Sequence, residues 1–200
     1  MKYSYSTKGA AVKRGKGDAT IATDTFAWSI AAVGPKKLLE MGLDPEGILD
    51  FAQEHCAVKV NFQNADGQTL EVSGFDFAKA QNIGRGGVVS TEWTAQMIVS
   101  YQVLARYFKD TGDAEKAGRY FEKAQFYLNE LQKMLIASPS RTGQGRGCLP
   151  YASADNVDTG HGWRTPNGSR TGSVAGTAYG LFAGKGYNPF ELKGDDHAGL

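Results

Sequence analysis

Two neighbouring segments with different apolar periods constrain this chain more than any other feature. From Thr91 to Lys109 the apolar side chains Trp93, Ala95, Met97, Ile98, Val99, Tyr101, Val103, Leu104, Ala105, Tyr107 and Phe108 occupy almost every face of a helix. A helix apolar all round must be surrounded by other elements. Thr111-Gly112-Asp113 then breaks the chain. From Asp113 to Ile136 the apolar residues Ala117, Tyr120, Phe121, Ala124, Tyr127, Leu128, Leu131, Met134 and Leu135 recur at intervals of three and four, leaving Lys116, Arg119, Glu122, Lys123 and Glu130 for solvent. An enclosed helix followed by an amphipathic one, with a tight break between them, predicts an antiparallel hairpin.

Helix-start signals recur elsewhere. Thr23 and Asp24 read as N-caps of a helix through Val33, ended by Gly34-Pro35. Asp44-Pro45 starts a helix to about His55. Ser90 or Thr91 caps the enclosed helix, and Thr171 or Ser173 caps a small-residue helix from Val174 to Ala183. Between them, residues 58–73 alternate (Val58, Val60, Phe62, then Leu70, Val72) about Asp66-Gly67, a β-hairpin signal. The fold class expected is mainly α: helical hairpins of an (α/α) toroid or partial toroid, with one inserted β-hairpin near 58–73. Residues 1–20 read as a flexible or loosely attached arm, 21–190 as a single domain and 191–200 as a frayed tail. The 137–170 stretch is too long for a simple connection and is expected to be an ordered functional loop.

Composition excludes more than it assigns. Apolar residues make up 41% and charged residues 22% of the 200, as in an ordinary globular domain. The 22 basic and 21 acidic residues give no broad cationic face for nucleic acid. No apolar run approaches a membrane span of roughly 20 residues. Cys56 and Cys148, the two cysteines, allow one disulfide or two thiols and lack zinc-site spacing. Neither Gly84-Arg85-Gly86-Gly87 nor Gly143-Gln144-Gly145-Arg146-Gly147 is a nucleotide fingerprint, so no cofactor is expected. Met1 to Lys16 is polar and basic without the apolar stretch of a secretory signal. The compartment stays open, extracytoplasmic included if further chain precedes Met1.

Four runs carry a family resemblance: Leu149-Pro150-Tyr151-Ala152, Asp158-Thr159-Gly160-His161-Gly162-Trp163-Arg164-Thr165-Pro166, Gly172-Ser173-Val174-Ala175-Gly176-Thr177-Ala178-Tyr179 and Asn188-Pro189-Phe190. Over about 88–190 the chain resembles the closing segment of bacterial α/α-toroid proteins of the six-hairpin glycosidase type. That resemblance implies a carbohydrate-directed cleft at the helix-start end of a barrel. It maps no catalytic acid or base onto this chain, and the amino-terminal third departs from the plain hairpin pattern.

The candidate chemistry follows from the residues themselves. Asp24 and Glu92, at two inner-helix starts, are the carboxylates best placed for acid/base work on a glycosidic bond. Their structural alternatives are an N-cap and a first-turn acid favoured by the helix dipole. His161 is a third catalytic candidate because its ring titrates near neutrality. Trp28, Trp93, Trp163 and Tyr151 offer flat platforms for sugar rings, with Trp93 equally suited to the core. Arg85, Arg164 and Arg170 could surround an anionic sugar, or each could brace its own loop. Asp158, with Asp155, is a second carboxylate pair or a turn former. The function expected is recognition or processing of an oligosaccharide or polysaccharide at a cleft between the inner-helix N-termini and the 137–170 loop, with catalysis left open. The alternative is a noncatalytic helical scaffold, or a partial-barrel domain of a larger envelope protein, that binds a protein partner. Self-association or an upstream domain would then complete the barrel.

Overall fold

The computed structural model describes residues 12–18, 20–64, 67–79, 85–136, 147–167 and 171–191. Its elements run α1 (Thr23–Trp28), a π-helical turn (Ser29–Val33), α2 (Pro35–Glu40), α3 (Pro45–Cys56), β1 (Ala57–Gln63), β2 (Thr69–Phe75), α4 (Thr91–Asp110), α5 (Ala114–Lys133) and α6 (Val174–Lys185). The described chain is mainly helical, with a small two-stranded antiparallel sheet in which Val60 pairs with Val72.

The α4–α5 hairpin forms as its periodicity requires. Phe108 stacks on Tyr120 at 5.8 Å and Tyr101 on Tyr127 at 6.1 Å, so α5 runs back along α4. Asp113 caps α5 by accepting from the Lys116 N–H, and Ser90 caps α4 by accepting from the Trp93 N–H. Each such cap is worth about 1 kcal/mol. Gln53 of α3 ties the aromatic stack together: its Oε1 accepts from the Tyr101 hydroxyl at 2.8 Å and its Nε2 donates to the Tyr127 hydroxyl at 2.6 Å. Ser173 caps α6, and Gly186 ends it in the left-handed conformation at φ 63°.

Short extended segments bring the starts of three helices to one end. Residue 22 bridges to 78, 75 to 90, 90 to 152 and 150 to 172, and every bridge is antiparallel. The alternation makes the segments feeding α1, α4 and α6 parallel to one another. The helices keep that direction. The Ser100 hydroxyl donates to the Ala27 carbonyl across α1 and α4, and Gln102 Nε2 donates to the Ala183 carbonyl across α4 and α6.

Several local expectations need correction. The N-cap of α1 is Ala22, whose methyl cannot make a cap bond, and the Thr23 hydroxyl donates to the Asp76 carbonyl. Asp24 lies inside the first turn, where its carboxylate accepts from Thr25. The helix also does not continue uniformly to Val33 but loosens into a π-helical turn after Trp28. Glu130, expected in solvent, is buried: it accepts from the Ser73 N–H of β2 at 2.8 Å and pairs with Lys133. Phe121 and Leu135, expected on the inner stripe, are exposed. Part of the amino-terminal arm lies against the domain, where Val12 packs on the core and Arg14 reaches the long loop. The 191–200 tail lies, beyond residue 191, outside the described residues.

Candidate functional site

Asp24 and Glu92 are 68 residues apart in sequence but lie at the shared helix-start end, each in the first turn of its own helix and within electrostatic reach of the other. The register of α1 beside α4 repeats one turn on. Trp28, four residues after Asp24, and Gln96, four after Glu92, line one narrow crevice together with Tyr179 of α6 and Phe190. Gln96 Nε2 donates to Glu92 Oε1 at 3.0 Å. Its Oε1 is buried and has no hydrogen-bond partner. Trp28 is 41% exposed and rests one edge of its indole on Phe190.

Burial pushes both carboxyl groups above the ordinary carboxylate range. For Asp24 a hydrogen bond from Thr25 and the positive charges of His161 and Arg14 oppose the shift. For Glu92 the negative charge of Asp24 adds to burial, and the Gln96 amide opposes it. Both carboxyl groups therefore hold a proton to higher pH than a carboxylate in water does. The Tyr179 phenol is pushed up as well, first by burial and then by the charges of Glu92 and Asp24, so it remains a hydroxyl donor.

The long loop supplies the adjoining wall. His161 lies against Trp93 at 5.3 Å and Trp163 at 5.4 Å between ring centroids. Its Nε2 faces the Phe77 carbonyl at 3.0 Å and its Nδ1 faces the Arg14 guanidinium at 2.8 Å. A carbonyl only accepts, so the contact with Phe77 places a ring proton on Nε2. Trp163 is 43% exposed, and its Nε1–H donates to the Tyr151 hydroxyl at 3.0 Å. Tyr151 stacks on Phe77, which meets Trp93 edge-on. Trp93 itself is buried and belongs to this second core cluster.

Comparison with known family models, curated proteins and solved structures returned no match. The site rests on its own geometry.

That geometry separates the candidates. Asp24 lies within electrostatic reach of both Glu92 and His161, and His161 packs with Trp93 and Trp163, the latter bonded to Tyr151. The arginines do not join the cluster. Arg85 is held by buried Asp76 through both Nη atoms and donates its Nε–H to the Asp158 carbonyl. Arg164 bonds the Asn156 side chain and carbonyl. The Asp158 carboxylate accepts from the Gly160 N–H, a turn-forming bond. Arg170 lies outside the described residues. Cys56 and Cys148 are not joined in a disulfide.

Gln96, Tyr179 and Arg14 were not picked out as site residues from the sequence. Gln96 had a signal, its i+4 spacing from Glu92; Arg14 had none. Among the described residues no cluster of three or more His, Cys, Asp or Glu could hold a metal ion, and no helix is long and apolar enough to cross a membrane. A larger apolar groove of about 240 Å³ lies between α5 and α6, but no titratable side chain lines it.

Proposed function

We propose that this chain binds a carbohydrate chain at the helix-start end and that Glu92 and Asp24 form an acid/base pair able to cleave it. The observation that carries the reading is a pair of desolvated carboxyl groups at two neighbouring helix starts, both pushed up by burial and near enough for the Asp24 charge to act on Glu92. Pairs of this kind divide into a proton donor and an anion, which is what glycosidic hydrolysis requires. Glu92 gives its proton to the bridging oxygen as the bond from the anomeric carbon to that oxygen breaks. Water adds to the anomeric carbon, directly with its proton passing to Asp24, or after Asp24 has first bonded that carbon. The anomeric configuration of the product separates the two routes. Trp28 and Trp163, each partly exposed, suit the apolar faces of sugar rings. The parallel starts of α1, α4 and α6, with α5 returning outside α4, support reading the fold as a partial (α/α) toroid.

The test is a panel of oligosaccharides followed by tryptophan fluorescence and product analysis. Cleavage abolished by Glu92→Gln with binding retained is the expected result. Binding without cleavage by the unaltered chain would leave recognition alone, and no binding to any member would overturn the proposal.

A further inference from the structure

Away from the carboxylate corner, two apolar hollows lie end to end along one side of α5. The first, of about 240 Å³, is walled by Leu128 and Leu131 of α5, by Leu135 just beyond it, and by Gly180, Leu181 and Gly184 of α6. The second, of about 430 Å³, lies where Ala117, Gly118 and Phe121 of α5 face Ala105 of α4 and Gly186 at the end of α6. Because α6 runs antiparallel to α5, the two hollows form one groove. A Cβ at Gly118 or Gly184 would meet nothing within 4 Å, so open space reaches the backbone in both. The sequence keeps this face free of charge. On α5, Ala117, Phe121, Gln125, Leu128, Gln132 and Leu135 follow one another at intervals of three and four, while Lys116, Arg119, Glu122, Lys123 and Lys133 fall on other faces. This stripe is not the one that meets α4: Tyr120, Ala124 and Tyr127 are buried there, whereas Phe121 is 56% exposed. On α6 the one charged residue is Lys185, yet Leu181 is 61% exposed and Val174 more so. A helix apolar on every face needs enclosing, and among the described residues nothing encloses that side of α6.

We infer that this groove is the contact between two copies of the chain, related by a twofold axis that passes at right angles to α5 at the level of residue 126. A twofold contact joins one patch to itself, so the patch must be self-complementary. Here projections and hollows stand in matching places. Phe121 and Leu131 lie five positions either side of residue 126, and Ala117 and Leu135 lie nine. The twofold therefore seats Phe121 of one copy over the leucine hollow of the other, and Leu135 over the hollow at Ala117 and Gly118. Charge selects the antiparallel sense. Arg106, Lys109 and Lys185 gather at the end where α6 finishes, and no titratable side chain lines the leucine end. Turned end for end, each cationic end lies over an uncharged one; a parallel pairing would set the cations against each other. The net charge of +1 raises little general repulsion between copies. The size also suffices. Ten residues line the first hollow and eight the second. With Val174 and Gln125 on the same faces, the patch reaches the roughly 20 residues a side of a specific interface.

Sedimentation velocity of the full chain over a wide concentration range tests the pairing, independently of the carbohydrate reading. The expected result is a concentration-dependent shift from monomer to a species of twice its mass. Leu181→Glu and Phe121→Glu alter exposed side chains and would put a charge into the apolar contact. Each should raise the dissociation constant at least about tenfold. Phe126→Glu, on an exposed side chain of another face of α5, should leave it unchanged. A monomer at the highest attainable concentration would overturn the inference and leave the groove to a different partner. A dimer that either groove variant fails to weaken, or that Phe126→Glu weakens as much, would overturn it too, because the copies would then meet through another surface.

Discussion

Asp76 offers the most direct test of how this end of the molecule is built. Its side chain is fully buried, and its two oxygens accept from both Nη atoms of Arg85 and from the N–H groups of Phe77 and Val88. Arg85 in turn holds the Asp158 carbonyl, so one carboxylate joins the segment after β2, the segment feeding α4 and the loop that carries His161 and Trp163. Asp76→Ala would strand a mostly buried guanidinium, a loss of about 3–5 kcal/mol in comparable buried pairs. The freed Val88 amide adds about 1–3 kcal/mol if it finds no partner. Partial relaxation makes about 4 kcal/mol a reasonable total, against about 5–15 kcal/mol for a whole domain. With a urea slope of about 2 kcal/mol per molar, the unfolding midpoint should fall by about 2 M. The double variant Asp76→Ala/Arg85→Ala removes the stranded charge. It should be no less stable than Asp76→Ala alone, a coupling of about 2 kcal/mol or more. A loss below about 1 kcal/mol for the single variant would refute the reasoning, as would simple additivity in the double one.

Other outcomes follow from the same structure. Because Asp24 and Glu92 titrate higher when folded, the folded chain binds more protons than the unfolded one in the window between the two sets of values. Their contribution is therefore full below the unfolded carboxyl range and is lost as pH rises through the folded values. Asp24→Asn should raise stability at neutral pH and flatten that slope, and denaturant unfolding across the acid range would show a steepened slope if the sign were wrong. A Cβ on Gly176 would lie 2.2 Å from Thr91 Oγ1 where α6 meets the start of α4. Gly176→Ala should lower stability by about 1–3 kcal/mol, and an unchanged melting temperature would count against that close approach. Trp163→Ala should cost under about 1 kcal/mol in stability, since the indole is half exposed, yet weaken sugar binding as read by calorimetry. The Cys56 thiol, buried and pushed up to about 11, should resist a thiol reagent until the chain unfolds; fast native labelling would contradict its burial.

What could be read from the sequence was local and periodic. The stripe from Ala117 to Leu131 fixes α5 against α4, and the alternation about Val60 and Val72 fixes the hairpin register. Ser90, Asp113 and Asp44 act as caps because their short side chains reach an N–H two or three residues ahead. Polar pairings across long separations have no such period. Nothing in the run around Thr23 indicates that its hydroxyl will reach the carbonyl of Asp76, which is why Asp24 reads as a cap and is found as a half-buried acid. Glu130 fits a solvated stripe until β2 places the Ser73 amide over it. Arg85 reads as a ligand-binding group until buried Asp76 takes its Nη donors. The meeting of Asp24 and Glu92 was legible only as a conditional: it required α1 and α4 to start side by side, which the antiparallel bridges through residues 75–78 bring about.

The contrast between satisfied and unsatisfied polar groups argues that the Asp24–Glu92 corner is a site and not a brace. Asp76 and Glu130, the acids buried most completely, each pair with a cation, Arg85 or Lys133, and accept from backbone N–H groups as well. Thr159, fully buried in the long loop, donates to the Trp163 carbonyl. Asp24 and Glu92 are different. Burial dominates the shift of each, their charges oppose one another, and the amide beside them leaves a carbonyl without a donor. The other buried carbonyl in that state, Gln102 Oε1, has no acid on it and its amide nitrogen is used to tie α4 to α6. At the start of a twenty-residue helix the positive end of the dipole favours an anion at Glu92. That offsets part of the desolvation without removing it. A purely structural corner would be more stable with an amide or an apolar side chain at either position. Both acids there, next to an unmet acceptor and an exposed indole, support the proposal that this corner binds a ligand.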